Sequence, residues 1–96
     1  MAAQRVPAGM TGYEGPACAQ IRDDDRAVRV RLTGHLDPID GRYHWRGTVY
    51  GIDAGLRLPH PVRIAVGERV ADGRLTELTP WGTHTVAGVG APPFEV

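Results

Sequence analysis

The chain has 96 residues with eleven acidic and eleven basic side chains, so it is one domain without the electrostatic footprint of a nucleic-acid or anionic-membrane binder. Every basic residue is arginine, and lysine, serine and asparagine are missing, which excludes a serine nucleophile and a Schiff-base lysine. The single cysteine, Cys18, excludes an internal disulfide framework and a multi-cysteine zinc site.

Thirteen glycines and eight prolines predict many turns and few segments long enough for a helix. No apolar run approaches the roughly 20 residues that span a bilayer, and the N-terminus lacks a hydrophobic signal region. The expected location is cytoplasmic, without membrane contact. Residues 1–11, with Pro7 and Gly9, read as a flexible arm, and 12–96 as a single β domain.

Tyr13-Glu14-Gly15-Pro16 bends the chain into a first strand at about 17–22, and Asp23-Asp24-Asp25 forms a solvated turn rather than a calcium loop. From Arg26 to Gly51 runs a long hairpin. Val28, Val30, Leu32 and Leu36 alternate with Arg29, Arg31, Thr33 and His35; on the return, Tyr43, Trp45, Gly47 and Val49 alternate with His44, Arg46, Thr48 and Tyr50. A bend centred on Asp40-Gly41 sets Asp37 opposite His44, Leu36 opposite Trp45, His35 opposite Arg46 and Gly34 opposite Gly47.

Residues 52–61 read as loop, 62–66 as a strand and Gly67-Glu68 as a tight turn. Residues 69–79 form a strand or strand pair broken at Asp72-Gly73, with a short helix at 74–78 as the weaker option. Pro80-Trp81-Gly82 turns into a last strand at 83–89, and Phe94 in the tail packs back on the body. The expected fold is all-β: a small antiparallel β-sandwich or partly open barrel of six to seven strands.

This register gathers His35, Asp37, His44 and Arg46 on one face, with cross-strand neighbours about 5 Å apart. Two histidines and an aspartate can form a divalent-metal facial triad or a carboxylate-oriented general base, so His35, Asp37 and His44 are the catalytic candidates. They can equally form a polar network in which Asp37 accepts from His44 and the side chains tie down the bend. Arg46 beside them disfavours a cation, and the reading assigns no metal and no cofactor.

On the apolar face Trp45 lies over Gly34 and Gly47, as core plug or as the wall of a pocket for a planar ligand. Tyr43, Arg46 and Trp81 complete the candidate ligand-binding set, with Trp81 either core or interface anchor. Cys18 reads as a small buried residue, His60 and His84 as surface or rim residues, and Arg29, Arg31 and Arg63 as a solvated or salt-bridged face rather than a basic stripe.

Gly12-Tyr13-Glu14-Gly15-Pro16-Ala17, the run from Gly34 to Trp45 with Gly47, Thr79-Pro80-Trp81-Gly82 and Gly88 to Phe94 carry a resemblance over residues 12–94. The chain resembles an actinobacterial domain family of unknown function. That family occurs alone or on the C-terminal side of flavin-dependent monooxygenases of the Baeyer–Villiger type. The resemblance implies an accessory module with a monooxygenase partner, and it carries over no catalytic residue. The chain has no G-x-G-x-x-G fingerprint and is too short to be the flavin enzyme itself.

The leading expectation is a non-enzymatic β domain for assembly or small-ligand binding. A homodimer is expected because small sheets must protect their edges. The alternative is a small enzyme or metal-binding protein using His35, Asp37 and His44.

Overall fold

One face of each strand carries the apolar residues, and short strands hide such faces by curling around a common interior. The computed structural model describes residues 11–94. Its strands are β1 (Thr11–Ile21), β2 (Asp24–Asp37), β3 (Arg42–Tyr50), β4 (His60–Val66), β5 (Arg69–Leu78) and β6 (His84–Val89). All pairings are antiparallel, and the sheet closes in the order β1-β2-β3-β6-β5-β4. The all-β expectation holds, and the barrel is the form adopted. No helix occurs among the described residues, and β5 runs unbroken through Asp72-Gly73. Met1 to Met10, most of the expected arm, lie outside the described residues.

The interior is filled by Val28, Val30 and Leu32 of β2, Trp45 and Val49 of β3, Ile64 of β4, Leu75 of β5 and Val86 of β6. Phe94 packs onto this core as expected. Trp45 is 1% exposed, and truncating a buried residue of this size costs about 3–5 kcal/mol. Its indole does not lie over Gly34 and Gly47. It crosses β6 and β5 instead, where a Cβ at Gly88 would land in the indole and one at Gly73 would sit 2.9 Å from Cη2. Gly34 lies under the Tyr43 ring, and a Cβ at Gly47 would strike the Arg31 carbonyl, so glycine there lets β2 and β3 come together.

The central hairpin pairs two residues out of the expected register. Gly34 faces Trp45, His35 faces His44, Leu36 faces Tyr43 and Asp37 faces Arg42. The cause is a longer loop, 38–41, whose Gly41 N–H donates to the Asp37 carbonyl at 2.8 Å. A shift of two keeps every side chain on its expected face. Leu36 is nevertheless 64% exposed, because the hairpin tip runs past the end of the β1–β2 and β3–β6 ladders.

Three further differences have local causes. β1 starts at Thr11, and the turn after it is Arg22-Asp23, so Asp24 and Asp25 already belong to β2. β4 starts at His60, and Ile52 in the preceding loop is buried. His84, expected at the rim, is 0% exposed: it pairs with Val49 and Leu78 on an inward-facing rung.

Candidate functional site

The hairpin loop sets the first cluster. Gly41 has φ 72°, a left-handed conformation that a residue without Cβ accepts at little cost. This turn brings Asp37, Asp40 and His44 together. The Asp37 carboxylate accepts from the Ile39 N–H at 2.9 Å through Oδ1, and Asp40 Oδ1 accepts from the Arg42 N–H at 2.8 Å. The histidine partner is Asp40, not Asp37: His44 Nε2 lies 2.7 Å from Asp40 Oδ2 and 4.0 Å from Asp37 Oδ2. The Arg42 N–H, and then His44, hold the Asp40 carboxyl below its ordinary range.

His35 stacks on His44, with ring centroids 6.2 Å apart and planes 22° from parallel, instead of aiming a nitrogen into the cluster. One ligand atom from each of Asp37, Asp40 and His44 falls within 4.8 Å of the others. Both aspartates, however, use an oxygen to hold loop backbone. The arrangement is a brace, with one carboxylate that the sequence reading left in the turn.

Beside this brace lies a cleft of about 400 Å³ on the outer face of β2, β3, β6 and β5. Two rungs of the sheet build it. Thr33 pairs with Arg46, Arg46 with Ala87, and Ala87 with Arg74. On the next rung His35 pairs with His44, and His44 with Val89. The small Ala87 side chain opens the space between the arginines, while Val89 and the stacked imidazoles supply apolar wall. Neither the Arg46 nor the Arg74 side chain takes part in a hydrogen bond or ion pair among the described residues. The signal missing from the sequence was the neighbour of β3: Arg74, Ala87 and Val89 reach the cleft through pairings that join distant segments.

The remaining candidates scatter. Tyr43 is half-buried over Gly34, and Trp81 is 84% exposed on the turn between β5 and β6, which removes its core reading. Cys18 is half-buried on β1. The His60 Nδ1 hydrogen-bonds the Pro61 carbonyl at 2.8 Å. Arg31 meets Glu14 at 3.8 Å and Arg63 meets Asp72 at 2.9 Å, while Arg29 is exposed without a described ion pair.

Residues 10–96 match the model of a family described as a domain of unknown function, DUF4873. The chain belongs to this family. Among the DUF4873 relatives, an uncharacterized protein of Mycobacterium tuberculosis strain H37Rv, Rv0943c, is 52% identical over 84 residues, covering 85% of this chain and 24% of the relative. The uncharacterized protein Mb0968c of Mycobacterium bovis matches with the same identity and coverage. The chain thus spans about a quarter of the length of these curated relatives. No solved structure matches it.

Proposed function

We propose that this DUF4873 domain is a non-enzymatic accessory module that binds a small ligand in the cleft on the outer face of β2, β3, β6 and β5. The observation that carries the reading is the cleft itself: about 400 Å³, within the range of small-molecule sites, and walled by Ala87, Val89 and two stacked imidazoles. The barrel interior is occupied by Trp45, so recognition falls to the outer surface. The alternative, an enzyme or metal protein using His35, Asp37 and His44, is less supported, since His35 does not belong to the converging group of Asp37, Asp40 and His44 and both aspartates hold the loop.

An accessory role agrees with relatives in which the domain is a quarter of the chain. Partnership with a Baeyer–Villiger-type flavin monooxygenase and assembly as a homodimer belong to the same reading. Co-elution with such an enzyme and light scattering across micromolar concentrations test them. For the cleft, the probe is neutral 2-naphthol followed by amide NMR shifts. Shifts at Thr33, Arg46, Ala87 and Val89, lost in Ala87→Phe, are expected. Shifts spread elsewhere, or none, would refute the cleft as a ligand site.

A further inference from the structure

We infer that the cleft selects a planar apolar molecule bearing one carboxylate, gripped between Arg46 and Arg74. The inference rests on the reading of the cleft as a ligand site and adds the chemical class of what enters it.

Arg46 and Arg74 are both register partners of Ala87. They stand on the two strands flanking β6, roughly 10 Å apart between Cα atoms at ordinary strand spacing, with only a methyl group between them. Each guanidinium presents a planar fork that matches a carboxylate, and two forks converging from opposite sides fix both oxygens.

Charge decides the sign of the ligand. Among the described residues no acidic side chain lines the cleft. Glu14 is engaged with Arg31 and Asp72 with Arg63, while Asp37 and Asp40 sit beside the cleft, facing the His44 of its wall and holding loop backbone rather than either arginine. Glu77, on the next stretch of β5, pairs with Thr85 in the ladder and does not line the cleft. The cleft at the opposite end of the barrel is different, because Asp24 and Asp53 line it together with Arg22, Arg26 and Arg57 and offset their charge. Two guanidinium groups outside the described ion pairs, in a protein of zero formal net charge, suit one anion.

Shape decides the rest. The stacked His35 and His44 rings and the Val89 side chain, which is 51% exposed, continue the cleft on the adjoining rung. They offer flat and aliphatic surface to a ring system whose carboxylate lies at Ala87.

The test compares 2-naphthoate with neutral 2-naphthamide by amide NMR titration of the wild type and of Arg46→Met and Arg74→Met. Both arginines are exposed, so the variants keep the core. The expected result is at least ten-fold tighter binding of the carboxylate, with shifts at Arg46, Ala87 and Arg74, and loss of that preference in either variant. Equal binding of acid and amide in the cleft would overturn the carboxylate assignment and leave the cleft reading standing. So would displacement of naphthoate by millimolar inorganic phosphate, which would mark a general anion patch. Shifts centred on Arg22 and Arg57, or no shifts with either probe, would overturn both.

Discussion

His84 makes acidity a direct probe of the barrel interior. Its ring is 0% exposed, and neither nitrogen meets a hydrogen-bond partner among the described residues. Burial therefore holds its pKa below the ordinary histidine value. In the unfolded chain the imidazole titrates near pH 6.5. Above that pH both states hold the ring neutral and stability is independent of it. Below it the unfolded state takes up the proton first, so stability falls with pH, by at most about 1.4 kcal/mol per pH unit for one group. His84→Leu fills a similar volume and removes two unpartnered nitrogens, whose burial costs about 1–3 kcal/mol. The variant should be more stable at pH 7.5 by roughly 1 kcal/mol, or about 4–8 °C in Tm for a domain of this size. The gap should widen at pH 5.5. Circular-dichroism melts of both proteins at pH 7.5, 6.5 and 5.5 read the difference and cancel contributions from the other histidines. Parallel pH curves, or a variant that melts lower at pH 7.5, would refute the reasoning.

Gly88→Ala and Asp40→Asn address the core plug and the loop brace, and Gly55→Ala serves as a control. Gly88→Ala drives a methyl into the Trp45 indole, and overpacking of this kind costs about 1–3 kcal/mol; the melt should drop and the buried tryptophan emission shift red. Gly55→Ala, with open space around it, should leave the melt unchanged or slightly higher. Asp40→Asn keeps an acceptor for the Arg42 N–H but removes the charge facing His44. Because the folded Asp40 pKa is lowered, its contribution is complete above about pH 4 and is lost as pH falls through the folded value. Urea midpoints measured from pH 6 to pH 3 should therefore fall less steeply in the variant than in the wild type.

Local alternation was enough to read the strands, because inward and outward positions repeat every second residue. It placed Val28, Val30, Leu32, Trp45 and Val49 inward, and it put His35, His44 and Arg46 outward, on the faces they occupy. Loop length was harder. Asp40-Gly41 suggests a two-residue bend, but Pro38, which cannot donate to a ladder, sits inside a longer loop. That lengthening moved the partner of His44 from Asp37 to Asp40.

What alternation cannot carry is which strands meet across the barrel. Without the pairings of β6 with β3 and β5, nothing in the sequence brings Ala87 between two arginines or Gly88 beneath Trp45. His84 was misplaced for a related reason: a polar residue beside a turn reads as solvated until the rung it occupies is known.

The closure of the barrel also bears on how the molecule breathes. β1 is paired with β2 over all 11 of its residues, yet it meets β4 at only Cys18, Ala19 and Gln20. The other neighbouring pairs either are hairpins or share longer ladders. This seam joins segments far apart in the chain, and it has the fewest ladder bonds to break. Amide deuterium exchange should enter here first, with the Cys18–Gln20 stretch losing protection while the β2–β3 ladder still holds it. The barrel, closed at rest, then behaves over longer times as a curled sheet with a latch.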